Sequence, residues 1–297
     1  MSRSVDLDGA VAVVTGAARG VGASLARQLA GRGARVGLLG LEPEELARVA
    51  ASCPGSEWWE VDVTDSAALA AVAEQIGERF GGIDVLVVNA GIGAGGKVLT
   101  ADPTAYERVI TVNLLGSIRT VRALLPEVVR RRGYVLQIAS VAALVPAPFM
   151  SAYSASKAGV EAFAHALRGE MIPHGVDVGV AYLSWTDTDM VRGADATPGL
   201  GHMRTSLPGL LGKTYPLEPA VSALVDGIVR RRPHVYAQRW LRSLTWLRGV
   251  LPVLAAHLPR KRLLAADEAI TAAGVTATLP VGAGGAADSQ TTRPIRR

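Results

Sequence analysis

The sequence predicts an α/β fold in which a doubly wound parallel sheet lies between two layers of helices. Six short apolar runs alternate with helical patterns at regular spacing. A glycine-rich turn follows the first run directly, and polar residues follow several of the others. The 297 residues are 49% hydrophobic and 19% charged, which is enough apolar material for one large domain. We therefore expect a single domain over residues 1–237, with a C-terminal helical extension.

The first strand and its turn predict a phosphate-binding site. Residues 10–15, AVAVVT, form a continuous apolar run typical of a buried strand, and an amphipathic helix begins a few residues later. The glycines between them let the backbone approach a pyrophosphate, while the start of the helix offers free N–H groups. The alternative is a plain strand-to-helix turn. The residues that we expect to contact a dinucleotide here are Gly16, Arg19, Gly20, Val21 and Gly22.

The second strand, residues 34–39, bears on the choice between NAD and NADP. An acid at the end of this strand would bind the ribose 2′-hydroxyl of NAD. Gly40 and Leu41 stand there instead, and Glu42 follows. Arg19, in the glycine turn, is available for a 2′-phosphate. The preference stays open, with a slight lean to NADP.

The third and fourth strands, around 57–61 and at 83–88, end at further candidate cofactor contacts. A helix over 43–52 separates the second strand from the third, and a helix over 66–80 follows the third. Asp62 can accept a hydrogen bond from an adenine amino group or cap the following helix. Asn tolerates turn geometry and Gly permits close backbone approach after the fourth strand. The residues assigned to the cofactor here are Asp62, Asn89, Ala90 and Gly91.

A serine, a tyrosine and a lysine follow the fifth strand, which ends at Ser140. Tyr153 and Lys157 are four residues apart, so on a helix they share one face about a turn apart. A neighbouring cation lowers the pKa of a phenol, which would let Tyr153 exchange a proton near neutral pH. Asn113 lies inside a long helical pattern over 103–131, where an asparagine among apolar neighbours indicates a specific task. Thr188 follows the sixth strand, residues 176–183, so it joins these groups at the carboxyl edge of the sheet.

Together these residues resemble the short-chain dehydrogenase/reductase family over about residues 8–237. The resemblance implies a Rossmann fold that binds NAD or NADP. It implies that Tyr153 is the acid/base, that Ser140 positions the substrate oxygen, and that Lys157 lowers the tyrosine pKa and holds the nicotinamide ribose. It further implies that Asn113 holds a water of a proton relay, that Asp62 and Val63 contact the adenine, and that Thr188 meets the carboxamide. One departure is Leu183-Ser184, which stands where the family usually has Pro-Gly.

The function expected from this resemblance is hydride transfer between a nicotinamide and an alcohol or ketone. The loop 190–217 lies where the family has its substrate lid. Its apolar side chains favour a lipid-, steroid- or terpenoid-like substrate; they are Met190, Met203, Leu207, Leu210 and Leu211. The main alternative is a non-catalytic dinucleotide sensor or scaffold, and a nucleotide-sugar epimerase is a weaker one. We expect a homodimer or homotetramer.

The positive charge of the chain is local. Residues 230–262 hold nine of the 31 basic residues and no acidic one, which leaves 22 basic against 26 acidic residues elsewhere. This distribution argues against nucleic-acid binding by the chain outside residues 230–262. In the extension, residues 238–274, Trp240, Leu244, Leu247 and Leu251 form a helical stripe beside arginines. The stripe predicts a cleft cover or a dimer surface, or else peripheral membrane contact through residues 239–262.

The remaining composition sets limits on location and metal chemistry. A single cysteine, Cys53, excludes an intrachain disulfide and a cysteine-rich metal site, and we expect no metal. The polar start of the chain predicts no signal peptide. No apolar run approaches the ~20 residues of a spanning helix. We expect a cytoplasmic protein, with membrane association as the alternative, and a disordered tail over the Gly-, Ala- and Thr-rich residues 275–297.

Overall fold

The computed structural model describes residues 4–197, 199–205, 207, 209–250, 260–274 and 280–291. Its centre is a seven-stranded parallel sheet with the strand order β3-β2-β1-β4-β5-β6-β7. The strands are β1 Val11–Thr15, β2 Arg35–Gly40, β3 Glu57–Glu60, β4 Val85–Val88, β5 Tyr134–Ile138, β6 Asp177–Tyr182 and β7 His234–Tyr236. The order reverses between β1 and β4, which is the switch point at which ligands bind in open α/β sheets.

Helices cover both faces of the sheet. Those before β5 are α1 Gly20–Ala30, α2 Pro43–Ala51, α3 Ser66–Phe80, α4 Pro103–Ile110 and α5 Ser117–Arg131. Those after β5 are α6 Ser151–Met171, α7 Asp189–Ala196, α8 Leu200–Thr205, α9 Leu217–Val229, α10 Leu241–Leu247, α11 Arg260–Ala273 and α12 Gly282–Thr291. Short 3-10 turns occupy Val141–Ala143, Ile172–His174 and Gly209–Leu211.

The alternation of side chains along each strand divides the core into two layers. On β1, Ala12 and Val14 pack in the layer with α1, α2 and α9. Val11 and Val13 pack in the opposite layer with α3, α5 and α6. Because both faces are covered, the inner strands β1, β4 and β5 are buried throughout, which is why the sequence shows continuous apolar runs there; the edge strand β3, Glu57–Glu60, is only partly buried. The prediction of a doubly wound parallel sheet is confirmed.

The seventh strand was not predicted. β7 has only three residues, too few to show a periodicity, and it follows three arginines. It pairs with β6, and Arg168 anchors its start by donating a 2.6 Å hydrogen bond to the carbonyl of Pro233. Its existence therefore depends on contacts with distant residues.

The helical pattern over 103–131 forms one long helix that contains a π-helical turn, Thr111–Gly116, between α4 and α5. By length and composition this helix is long and apolar enough to span a membrane, contrary to the expectation from apolar runs. It packs against β4 and α3, as a core helix does, and 44% of its most apolar 18 residues are buried. Asn113 lies in the π-helical turn, a feature that is frequent at functional sites.

The C-terminal region departs from the predictions in two places. Trp240 and Leu244 pack against the core, so they do not form an exposed stripe with Leu247, and Leu251 lies outside the described residues. Leu247 is exposed, and the other exposed large apolar side chains in the described part of this region are those of Trp246, Val250 and Leu264.

The second departure concerns the tail. Within 275–297, predicted to be disordered, residues 282–291 form α12, while 275–279 and 292–297 lie outside the described residues. The prediction rested on composition alone. It overlooked that Val281 and Asp288 are each buried against the body of the domain.

Candidate active site

The glycine turn after β1 packs closely against the end of β4. Gly16 has a φ of +63°, and a Cβ there would lie 2.9 Å from the Cα of Ala90. A Cβ on Gly22 would lie 2.1 Å from the carbonyl oxygen of Gly16. Since no other side chain fits these positions, the glycines give the turn its shape and leave its backbone open to a ligand.

Asn89 joins the two strand ends. Its Nδ2 donates to the carbonyl oxygens of Thr15 at 2.9 Å and Gly16 at 3.2 Å. The Thr15 hydroxyl in turn accepts from the backbone N–H groups of Asn89 and Ala90, both at 3.0 Å. This ring of hydrogen bonds fixes the switch point of the sheet.

Ser140, Tyr153 and Lys157 come together at the end of β5. Ser140 begins the 3-10 turn after the strand, where its hydroxyl accepts from the backbone N–H of Ala142 at 3.2 Å, and it lines the same cleft as Tyr153. Lys157 Nζ donates to the carbonyl of Ile138 at 2.9 Å and lies 5.9 Å from the centre of the Tyr153 ring. Tyr153 and Lys157 share one face of α6, as their spacing predicts.

Burial controls the protonation of this pair. It raises the pKa of Tyr153 above its usual value, and the hydrogen bond from Ser140 offsets part of the rise. Burial also lowers the pKa of Lys157 to about 8. The net pKa of the phenol is therefore raised and not lowered as expected, because the loss of hydration outweighs the effect of the Ser140 hydrogen bond.

Asn113 supports the site from behind. Its Oδ1 accepts from the backbone N–H of Ile92 at 2.8 Å, and its Nδ2 donates to Ile92 O at 2.9 Å and Ser156 Oγ at 3.0 Å. A Cβ on Gly91 would lie 3.0 Å from Asn113 Oδ1 and 3.5 Å from Lys157 Nζ, so Gly91 separates the two side chains. Asn113 thus ties the loop after β4 to α6.

The loop after β6 is held without the Pro-Gly pair. The Gln238 side chain accepts from the backbone N–H of Ser184 at 3.0 Å, and Trp185 O accepts from the backbone N–H of Tyr215 at 2.7 Å. Thr188 caps α7, since its hydroxyl accepts from the backbone N–H of Val191 at 3.4 Å. The buried Ser184 hydroxyl has no hydrogen-bond partner in the part of the chain that the structure describes.

Arg19 lies between two carboxylates beside the glycine turn. It pairs with Glu42 through two nitrogens, the contact of Nε with Oε2 measuring 2.9 Å, and its Nη1 lies 3.1 Å from Asp189 Oδ2. The three side chains together carry one net negative charge. Because Glu42 follows the end of β2, it lies close to where the ribose of a dinucleotide is expected.

Arg108 lies between the carboxylates of Asp62 and Asp288. Its Nη2 lies 2.9 Å from Asp62 Oδ2 and 2.7 Å from Asp288 Oδ1. Burial acts to raise the pKa of Asp62, but hydrogen bonds from Thr64 and Arg108 lower it below its usual value. Asp62 caps no helix here, because Asp65 caps α3.

One cleft at the carboxyl edge of the sheet collects nearly all the predicted residues. Gly22 and Asn113 do not line it and support it from beneath. The predicted residues in its wall are Gly16, Arg19, Gly20, Val21, Asp62, Val63, Asn89, Ala90, Gly91, Ser140, Tyr153, Lys157 and Thr188. Sequence reasoning missed several others: Asp189, Val281, Gly284, Gly285, Ala287 and Asp288. No local signal marks these, because most belong to the segment predicted as a tail.

The cleft fits a nicotinamide dinucleotide. The glycine turn leaves backbone N–H groups accessible at the start of α1, where a pyrophosphate is stabilised. The Ser184 hydroxyl offers an unused hydrogen bond at the other end. In contrast, the described residues contain no cluster of three or more His, Cys, Asp or Glu side chains that could hold a metal ion.

Fold and cleft together are those of a Rossmann-type protein with a cleft at the switch point of its sheet. The short chain dehydrogenase family model matches residues 10–199. The chain therefore belongs to the short-chain dehydrogenase/reductase family, a family of oxidoreductases.

Relatives and solved structures agree with this assignment. The chain is 35% identical over 201 residues to dehydrogenase/reductase SDR family member 7B of Bos taurus, a match covering 64% of this chain and 62% of that protein. It is 30% identical over 226 residues to the 3-oxoacyl-(acyl-carrier-protein) reductase of Escherichia coli strain K12, covering 75% and 92%. A Burkholderia phymatum short chain dehydrogenase/reductase, solved in complex with NAD, shares the fold with a TM-score of 0.70 and 24% identity, covering 81% and 93%.

Proposed function

We propose that this protein is an NAD(P)-dependent oxidoreductase that interconverts a hydrophobic alcohol and the corresponding ketone. The observation that carries the proposal is the joining of Ser140, Tyr153 and Lys157 at the cleft. A bound nicotinamide would supply or accept the hydride. A sensor or scaffold would have no need of a tyrosine that shares the cleft with both a serine and a lysine, so we do not propose one.

Each side chain has a distinct part in the proposed chemistry. Tyr153 donates a proton to the substrate oxygen during reduction, or removes it during oxidation. The Ser140 hydroxyl donates to the same oxygen and holds it beside the phenol. Lys157, fixed by the Ile138 carbonyl, stabilises a developing phenolate and binds the ribose hydroxyls. Asn113 positions the loop after β4 and the helix that carries Lys157.

An apolar cluster next to these groups supports the proposed substrate class. Leu200 and Met203 are buried there, and Met190, Phe149 and Met150 pack against them. Leu210, from the same lid, is exposed and takes no part. Of this cluster Met190 and Val281 line the cleft, and such apolar lining favours a lipid-, steroid- or terpenoid-like ligand. The E. coli relative is a 3-oxoacyl-(acyl-carrier-protein) reductase, which supports carbonyl chemistry of this kind.

The choice between NAD and NADP depends on the Arg19–Glu42 pair. Arg19 is the group that suits a 2′-phosphate, which is the basis of the lean to NADP. Here it is bound to Glu42 and Asp189, whose combined charge opposes a phosphate dianion. NADP binding thus requires the phosphate to replace Glu42 on Arg19, whereas with NAD the Glu42 carboxylate accepts from the ribose hydroxyls.

Two further proposals concern partners. We expect a homodimer or homotetramer, to be measured by analytical ultracentrifugation.

We also propose peripheral contact of residues 239–262 with an anionic membrane, from which an apolar substrate can enter. The exposed Trp246, Leu247 and Val250 beside basic residues support this contact. Residues 251–259 of that stretch lie outside the described residues.

A cofactor-coupled absorbance screen tests the function. Hydrophobic alcohols and ketones are offered with each dinucleotide, and the signal is followed at the absorbance of the reduced nicotinamide. We expect turnover of a subset of apolar substrates that disappears in Tyr153→Phe. Binding of both dinucleotides without turnover of any substrate would contradict the proposal and restore the sensor hypothesis.

A further inference from the structure

The C-terminal segment, residues 280–291, lies across the cleft. Val281, Gly285 and Asp288 are buried while Ala283, Ala286 and Gln290 are exposed, so the segment presents one helical face to the domain. Gly284, Gly285, Ala287 and Asp288 form part of the cleft wall itself. The segment is therefore a part of the site that neither the family motifs nor the sequence patterns assign.

The start of the segment docks on the substrate side. The backbone N–H of Val281 donates a 2.7 Å hydrogen bond to the carbonyl of Gly93, in the loop after β4. Its side chain joins the apolar cluster with Leu200 and Met203. A Cβ on Gly193 would lie 2.4 Å from the backbone nitrogen of Gly282, so the two backbones are in direct contact.

The end of the segment docks on the adenine side, where Asp288 forms an ion pair with Arg108. Asp288 is only 2% exposed. Arg108 Nε lies 3.1 Å from both carboxylate oxygens of Asp288, and Nη2 lies 2.7 Å from Oδ1. The same guanidinium holds Asp62 at 2.9 Å. Between these two anchors a Cβ on Gly284 would lie 3.7 Å from Cδ of Arg19, so the segment reaches the glycine turn as well.

We propose that residues 280–291 form a cover over the dinucleotide cleft, that the Arg108–Asp288 pair holds it closed, and that it opens to admit and release the cofactor. The run Gly282-Ala-Gly-Gly-Ala-Ala287 suits this task, since small residues let the helix lie close to a ligand. Arg108 couples the cover to Asp62, the residue expected at the adenine. The proposal rests on the proposed function only in taking the ligand to be a nicotinamide dinucleotide.

Binding kinetics of the full-length protein test the cover without any substrate. NADH and NADPH are mixed with enzyme in a stopped-flow fluorimeter, and association and release are measured. Asp288→Asn removes the charge that holds the cover, and we expect both rate constants to rise at least about tenfold. The matched control is Asp267→Asn, which breaks the Lys97–Asp267 pair of the same C-terminal region. We expect its rate constants to stay at wild-type values.

A cross-link gives the complementary test. A Cβ on Gly93 would lie 3.4 Å from Cγ2 of Val281, so cysteines at both positions are within reach of a disulfide. The one native cysteine, Cys53, is buried. In Gly93→Cys/Val281→Cys, oxidation before loading should prevent NADH uptake, and oxidation after loading should prevent its release. Reduction with dithiothreitol should restore both.

The outcomes separate the hypotheses. Unchanged rate constants in Asp288→Asn, or normal exchange of NADH in the oxidised double variant, would overturn the proposal that the segment is a cover. Faster association with unchanged release in Asp288→Asn would also overturn it, since the segment would then compete with the cofactor for its place. Failure of the wild-type protein to bind either dinucleotide would instead contradict the proposed function.

Discussion

Lys157 Nζ lies 5.9 Å from the centre of the Tyr153 ring and is anchored to the Ile138 carbonyl at 2.9 Å. The cation is thus held near the phenol by the main chain of β5. Its position is therefore set by the fold and not by the phenol itself. This arrangement makes the contributions of the two side chains separable by mutation.

Tyr153→Phe should abolish turnover and leave dinucleotide binding nearly intact. The ring is kept and only the proton donor is lost, so kcat should fall by at least about 10²-fold. Lys157→Ala should reduce both turnover and cofactor affinity, because it has two tasks. Steady-state kinetics and fluorescence titration measure these effects. Tyr236→Phe, which removes a hydroxyl bonded to Thr245 near α10, is the control and should keep its activity. Near-normal activity of Tyr153→Phe would falsify the mechanism.

Arg19→Ala should weaken NADP more than NAD, because it removes the group suited to a 2′-phosphate. Glu42→Gln should act in the opposite direction. It frees the guanidinium of Arg19 and removes a negative charge from the ribose end, so the ratio of NADP to NAD affinity should rise about tenfold. Titration of both variants with both dinucleotides measures the effect. Equal changes for the two cofactors would show that this pair does not set the preference.

The stability difference between the wild type and Lys157→Met should depend on pH. The pKa of Lys157 is lowered to about 8 in the folded protein, against an ordinary value of 10.5. Between these values the unfolded chain binds the extra proton, so the stability of the wild type rises with pH relative to the variant. Below pH 8 the cost of burying the charge is complete and constant. At about 1.4 kcal/mol per pKa unit, the gain across the window is about 3 kcal/mol. Urea unfolding at pH 7, 8, 9 and 10 measures it, and a constant difference would contradict the assignment.

Full-length protein should float with anionic vesicles at low salt and much less at high salt or with neutral lipid. Trp246, 83% exposed, should supply the apolar contact, and each nearby Arg or Lys about 1 kcal/mol. Trp246→Thr should therefore reduce flotation. Trp58→Thr is the matched control, because Trp58 is 39% exposed on β3, at the opposite edge of the sheet from β7. If the wild type does not float, the exposed residues around Trp246 have another role, such as contact between copies of the chain.

By itself the sequence determined the parallel sheet, the glycine turn and the grouping of Ser140, Tyr153 and Lys157. Each of these depends on local patterns: apolar runs of strand length, glycines that no other residue can replace, and a four-residue spacing on one helix. Helix and strand periodicities carry such information over short stretches of sequence. A parallel sheet then places the carboxyl ends of its strands, and the residues that follow them, along one edge. The prediction of six of the seven strands follows from this.

Only the tertiary structure decided the partners of the charged side chains and the fate of the C-terminal segment. The partners of Arg108 at Asp62 and Asp288 lie 46 and 180 residues away along the chain, and no periodicity connects them. Burial, which raises the pKa of Tyr153 and lowers that of Lys157, depends on everything packed around the cleft. Composition classed residues 280–291 as a tail, because their glycines and alanines offer little surface to bury. The fold supplies the complementary surface, and small residues can then pack against it at close range.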